Sequence, residues 1–137
     1  MDSNIRKYCE HIMNTHKKTI KYDKKKNVWY WDYPNVASIC YNSSKKIHRP
    51  GFSHYGLKTK WAPILITEFK KLGVLGKGSI HDKNPIGNCA EQHSANNLIR
   101  VCNIKKLNHL YFSESVRPRT MEIYAPCNNC RFLFPNI

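Results

Sequence analysis

The stretch GNCAEQHSANNLIRV at residues 87–101, taken with APCNNCRFLF at residues 125–134, decides how this chain is read. Residues 89–101 have the composition of a helix, with Asn88 as its expected N-cap and Glu91, three residues on, as a capping-box partner. A second helix is expected to follow Pro126 and Cys127. The two helix starts bring together three thiols, Cys89, Cys127 and Cys130, and one carboxylate, Glu91. The partial positive charge at a helix start favours thiolate over thiol, so both segments suit ligation of zinc. Three protein ligands leave a fourth position for water, the arrangement that separates a catalytic zinc from a closed structural one. Glu91 lies two residues past the first ligand, within reach of that water as a proton shuttle without being a ligand itself.

Blander readings of the same residues stand beside this one. Cys127-x-x-Cys130 alone suits a structural zinc or a redox pair. His93, four residues after Cys89, or His109 would close the site as a fourth ligand, and Glu91 would then be only a capping carboxylate. Asn96 and Asn97 at mid-helix are unfavourable by propensity, which suggests tertiary hydrogen bonds for their amides. Cys9, Cys40 and Cys102 read as buried apolar thiols.

Outward from this core, residues 62–72 (APILITEFKKL) have helical periodicity and stop at Gly73, and the glycine-rich residues 73–83 read as a hairpin or an irregular loop. Residues 107–113 and 121–125 read as strands separated by a turn at Pro118. In the N-terminal part, Ile5, Tyr8, Cys9, Ile12, Met13 and His16 recur at helical spacing, with Arg6, Lys17 and Lys18 towards solvent. Lys24, Lys25 and Lys26 break that pattern. Residues 28–33 and 37–41 then read as a hairpin about Pro34-Asn35, and residues 42–59 as a loop marked by Pro50-Gly51 and Gly56. The expected organisation is one domain over residues 1–137: a basic helix, hairpin and loop over 1–60, and a helix and zinc-site core over 61–137.

A chain of 137 residues, 41% hydrophobic, has the size of one domain that buries most of the surface its unfolded form exposes. Lys and Arg number 23 against 9 acidic residues, a formal charge of +14, and the excess is greatest over residues 1–50. Such a charge favours a polyanion or an acidic partner and offers nothing to a cationic or zwitterionic small substrate. No run approaches the roughly 18 apolar residues that a membrane helix needs, so no membrane partner is expected, and the N-terminus lacks the apolar stretch of a secretory signal. The 6 cysteines are even in number, but their spacing is not that of a small disulfide scaffold.

Cys89-Ala90-Glu91 followed by Pro126-Cys127-x-x-Cys130 resembles the signature of the zinc-dependent cytidine-deaminase-like superfamily, in the variant with Cys as first ligand. Over residues 85–134 the chain looks most like the nucleic-acid deaminase modules of bacterial polymorphic toxins, including the YwqJ-like group. The resemblance implies an α/β fold of three layers, with a mixed central sheet and helices packed on it. It implies Zn2+ held by Cys89, Cys127 and Cys130, with Glu91 carrying protons and the backbone amides of Ala90 and Cys127 as fixed donors. Seven residues follow Cys130, where the common fold continues with a helix and a further strand. Either N-terminal strands complete a shortened sheet, which the toxin-type resemblance favours, or the chain has been trimmed.

The activity so implied is hydrolytic deamination of a base in DNA or RNA, cytosine before adenine. A toxin-type module would also imply an acidic immunity protein, delivery as the C-terminal part of a secreted parent chain, and action in the cytoplasm. The rivals are a free cytidine or nucleoside deaminase, which has no use for the +14 field, and a non-catalytic zinc-stabilised nucleic-acid-binding module, which has no use for Glu91. Candidate base or stacking contacts are His48, Phe52, His54, Tyr55, Trp61 and Ser113, and Trp29, Trp31, Phe52 or Trp61 would serve as an inserted wedge.

Overall fold

A computed structural model describes residues 1–16 and 20–137 of the chain. Helix α1 (Ser3–His16) is followed by β1 (Ile20–Asp23), β2 (Val28–Trp31), β3 (Ala37–Tyr41), β4 (His48–Phe52), α2 (Pro63–Leu72), α3 (Ala90–Ile99), β5 (Tyr111–Phe112) and α4 (Asn128–Leu133). The central sheet has the order β4-β3-β5, and β1 and β2 form a separate two-stranded ribbon.

Every residue of β3 is buried, because helices cover both faces of that strand. Alternation along the strand sends Ala37, Ile39 and Tyr41 to one side, where Ile5, Cys9 and Ile12 of α1 pack on them with Val116. Cys40 faces the other side and joins Ala95 and Leu98 of α3, Leu65, Phe69 and Leu72 of α2, and Leu133 of α4. Asp2 fixes α1 at both ends of the contact. Its Oδ1 accepts from the amides of Asn4 (2.8 Å) and Ile5 (3.2 Å), and its Oδ2 accepts from the Tyr41 hydroxyl at 2.7 Å. In α2, Pro63 stands in the first turn, where its missing N–H costs nothing, and the amide of Gly73 closes the helix on the Phe69 carbonyl at 3.0 Å.

The helices expected at the N-terminus, at residues 62–72 and after Cys89 are all present. Lys17 and Lys18, expected on the solvent side of α1, lie outside the described residues. Cys9 and Cys40 are buried as expected, whereas Cys102 is half-buried. The strand pairing differs from expectation. Residues 28–31 pair with β1, and β3 pairs with β4 and β5, so no hairpin runs through Pro34-Asn35. All strand pairs among the described residues are antiparallel, and the parallel pair that a mixed sheet requires is not among them. Residues 48–52, expected within a loop, form β4. Pro50 is tolerated there because β4 is an edge strand and needs no outward amide.

Gly51 is there because β4 lies directly on α3. A Cβ at Gly51 would stand 2.2 Å from the backbone nitrogen of Ser94, and neither backbone can move aside. Gly51→Ala is therefore expected to cost about 3 kcal/mol of unfolding free energy, as overpacking of a backbone contact does, and urea denaturation reads it directly. An unchanged midpoint would mean that β4 and α3 are not in this close contact in solution.

The strands expected at 107–113 and 121–125 are mostly irregular. Leu107–His109 is a 3-10 turn, which leaves only Tyr111–Phe112 to pair with β3. Met121 takes a left-handed φ of 62°, bending the chain so that only the bridge Val116↔Ile123 survives of the second strand. Backbone bonds from Tyr124 to Ser115 (2.8 Å) and from Arg117 to Glu122 (2.8 Å) nevertheless hold this segment against residues 115–117. That contact delivers Pro126 and Cys127 beside Ser115. No helix among the described residues is long and apolar enough to cross a membrane.

Candidate metal centre

Cys89 and Cys127 are the N-cap residues of α3 and α4, both in extended backbone conformation and neither making a side-chain capping bond. Their thiols are thus available to each other, with Sγ atoms 3.2 Å apart. Cys130 sits one turn into α4 on the same face as Cys127, and the three Sγ atoms all lie within 4.8 Å of one another. Tetrahedral zinc with bonds of about 2.3 Å would set its sulfurs about 3.8 Å apart, so this all-sulfur donor set is compatible with Zn2+. Three such thiols share their protons unequally. Contact with the sulfurs of Cys130 and Cys89 holds the Cys127 thiol far below the usual thiol range, while contact with Cys127 pushes the thiols of Cys89 and Cys130 up.

The Glu91 carboxylate reaches the same cluster from α3. It is only 3% exposed; Oε1 accepts from the Ser115 hydroxyl and Oε2 stands 3.7 Å from Cys130 Sγ. It therefore does not cap α3: the N-cap is Cys89 rather than Asn88, and no capping box forms. Burial is the main cause that pushes its carboxyl above the usual range. Gln92, fully buried, ties the cluster to the turn before it. Its Nε2 donates to Cys130 Sγ at 3.6 Å and its Oε1 accepts from the Gly87 amide at 2.7 Å. Gly87 needs its freedom here, with φ at +95° and a would-be Cβ 2.7 Å from Leu75.

The glycine-rich segment, whose sequence suits either a hairpin or a loop, is irregular and straps the start of α4. Asp82 Oδ2 accepts from the Asn128 amide at 2.9 Å, Ser79 donates to the Asn129 side chain, and Asn129 Nδ2 donates to the Asn84 carbonyl at 2.9 Å. The mid-helix asparagines do find tertiary partners: Asn96 bonds the Ala62 amide (2.8 Å) and the Lys60 carbonyl (3.1 Å), and Asn97 the Pro50 carbonyl (2.9 Å).

A cavity of about 270 Å³ opens onto the cluster, close to the small end of the ligand-pocket range of about 300–1,000 Å³. Cys89, Ala90, Glu91 and Cys127 form its floor, and Asn35, His54, Asn84, Asn88 and Tyr124 its polar wall. The Oδ1 of Asn88 is buried with no hydrogen-bond partner. An acceptor left so costs about 1–3 kcal/mol, and a ligand N–H would relieve it.

Of the six candidate substrate contacts, His54 alone lies on this wall. Trp61 is in the core, its indole N–H on the Gly56 carbonyl at 2.9 Å. His48 packs on Tyr41, and Phe52 on His54 and His16. Tyr55 is exposed away from the cavity, and Ser113 Oγ bonds the Ile39 amide and the Glu114 carbonyl. His93 points away from the thiols: its Nε2 lies 3.0 Å from the His54 carbonyl oxygen and its ring stacks between His54 and Trp61. Neither His93 nor His109 joins the three thiols among the described residues. Gln92, Ser115 and Asn88 were missed by the sequence reading. Two of them carry a positional signal in the sequence, Gln92 next to Glu91 and Asn88 next to Cys89, where Asn88 reads only as a helix cap.

Burial, and after it the neighbouring His54, lower the pKa of His93 to about 4, so the folded protein holds this imidazole neutral. Its unfolded value is about 6.5. Its contribution to stability is whole above that pH and is lost as pH falls towards 4, on the order of 3 kcal/mol across the window. His93→Gln keeps a donor for the His54 carbonyl and should flatten this dependence in urea denaturation between pH 7 and 5. Acid loss of metal is common to both proteins, so parallel pH profiles would remove His93 as the cause.

No family model matches the chain, and no curated protein or solved structure matches it.

Proposed function

We propose that the chain is a zinc-dependent hydrolytic deaminase of a nucleobase in DNA or RNA, converting cytosine to uracil with release of ammonia, in the manner of the toxin-type modules its motifs resemble. The observation that carries this reading is a buried carboxylate, Glu91, touching a three-thiol cluster on the floor of an open cavity. A closed structural site has no use for either the carboxylate or the opening.

Cys89, Cys127 and Cys130 would hold the ion. Bound there, zinc supplies Lewis acidity, which in favourable sites lowers the pKa of a coordinated water to about 7. Glu91 would take one proton from the attacking water and give it to the ring nitrogen, then take the second from the hydroxyl added to the ring carbon and give it to the amine, which leaves as ammonia while the carbonyl forms. Ser115 holds Oε1, so the other oxygen faces the cluster. The Ala90 amide, at the first position of α3, has no intrahelical partner and is a fixed donor at the cavity floor. Asn88 Oδ1 awaits an N–H, which the exocyclic amine of cytosine or adenine supplies. A formal charge of +14 supports a polymeric substrate over a free nucleoside, and in a toxin setting an acidic immunity protein.

The test is incubation of zinc-loaded protein with single-stranded DNA, duplex DNA, RNA and free cytidine, reading conversion by sequencing and mass. Conversion in a polymer supports the proposal and selects the substrate. Conversion of cytidine alone would transfer the reading to a nucleoside enzyme. Tightly bound zinc with no conversion of any substrate would replace it with a non-catalytic zinc module.

A further inference from the structure

We infer that the β1–β2 ribbon is a docking surface for single-stranded nucleic acid, with bases stacked on Tyr22, Trp29 and Trp31 and phosphates at the lysines of its turn. The register Ile20↔Trp31, Tyr22↔Trp29 puts these four side chains on one face of the ribbon, since residues opposite one another in an antiparallel pair share a face. None of them is buried: Trp29 is 71% exposed and Ile20, Tyr22 and Trp31 are 41–52% exposed, against 7% for the core residue Trp61. The Tyr22 and Trp29 rings lie 5.1 Å apart and tilted, so they already form an aromatic pair. A two-stranded ribbon is marginal by itself and gains no core from this face, so the aromatics are placed for something else.

Charge identifies the occupant. Lys24, Lys25 and Lys26 stand exposed at the tip and make no ion pair among the described residues, where the pairs are Lys21–Asp32 and Lys71–Glu68. The two acidic groups of the ribbon are engaged: Asp23 accepts from the amides of Lys25 (2.9 Å) and Lys26 (3.2 Å), and Asp32 holds Lys21 at 2.8 Å. The tip thus carries three lysines against the single charge of Asp23, and aromatic rings beside such an excess of lysine are the means by which proteins bind single strands without reading sequence. Trp29 and Trp31, two residues apart on one strand, are offset by about 6.8 Å, twice the rise of a stacked nucleotide. The ribbon also leads into the cavity: Asn35 on its wall follows Trp31 by four residues, at most about 14 Å of extended chain. This last point rests on the deaminase reading, whereas the surface itself does not.

Tryptophan emission of the zinc-loaded protein, residues 1–137, tests it, because Trp29 and Trp31 are exposed and Trp61 is not. The probes are oligothymidylate and oligouridylate of about 15 nucleotides, heparin as a polyanion without bases, and phosphatidylserine vesicles. Quenching by either oligonucleotide is expected, DNA or RNA being distinguished by which is tighter. The double variant Trp29→Ala, Trp31→Ala lacks the reporting indoles, so its affinity is read, beside that of the parent, by anisotropy of an end-labelled oligonucleotide; it should bind at least about 30-fold more weakly, with unchanged zinc content and circular dichroism. Changing the three tip lysines to Gln should reduce the slope of log affinity against log salt by about 2 while leaving the quench in place.

Equal affinity of the double variant, or heparin binding as tightly as the oligonucleotides with the same quench, would overturn the assignment. Preferential capture by vesicles, or concentration-dependent self-association lost in the double variant, would give the face to a membrane or to a second copy. Binding is read without turnover, so a ribbon that binds in a protein that deaminates nothing would sink the deaminase reading alone. Deamination that survives loss of the aromatic face with unchanged affinity would sink this inference alone.

Discussion

Glu91→Gln is expected to lower deamination by on the order of 10²- to 10⁴-fold while zinc content and melting temperature are retained. Gln has the shape of Glu and keeps an oxygen to accept from Ser115, so the side chain stays in its buried seat beside Cys130. What it loses is the capacity to take up and release a proton. Stability should not suffer, because burial disfavours the charged carboxylate and a neutral amide carries no such desolvation cost. The loss should fall on kcat rather than KM, since the proton moves in the transition state and not on binding. Activity within tenfold of the parent would remove the proton-shuttle role. Activity lost together with zinc would instead make Glu91 a residue that positions Cys130.

Cys127→Ala is expected to release the metal and to lower stability by about 4 kcal/mol, a fall in melting temperature of more than about 10 °C, given saturating zinc in the parent. Cys127 is half-buried at the start of α4, so the loss of its sulfur from packing is a small part of that figure. The cluster joins α3 to α4, two helices 38 residues apart in the chain at the Cys89–Cys127 contact, and an ion held between them stabilises the folded state only. A strong chelator separates metal from packing. It should bring the parent protein down to the level of the variant and leave the variant where it is. A parent whose melting temperature ignores the chelator, and which carries no zinc, would end the metal assignment.

Helices were legible in the sequence because their signals are local. Ile5, Cys9 and Ile12 recur at the spacing that forms one buried stripe, Pro63 and Gly73 bracket α2, and α3 begins at Ala90, within one residue of the expected start. The strands were not legible to the same degree. Pro50 and Gly51 carry the signature of a loop, and only the edge position of β4 and the close approach of α3 make them strand residues. Met121 interrupts an apparently regular strand through a left-handed turn closed by the Arg117 carbonyl.

The candidate site divides in the same way. The sequence by itself determined that Cys89 and Glu91 share one helix start and Cys127 and Cys130 another, because both spacings are short and the helical period fixes their faces. Tertiary structure alone decided that the two sets meet, that Ser115 holds Glu91 on the cluster, that His93 turns to the His54 carbonyl, and that Asn35, Asn84 and Tyr124 close the cavity. Those contacts join segments far apart in the chain, and long-range pairing follows from which faces are left to bury rather than from any periodicity within a segment.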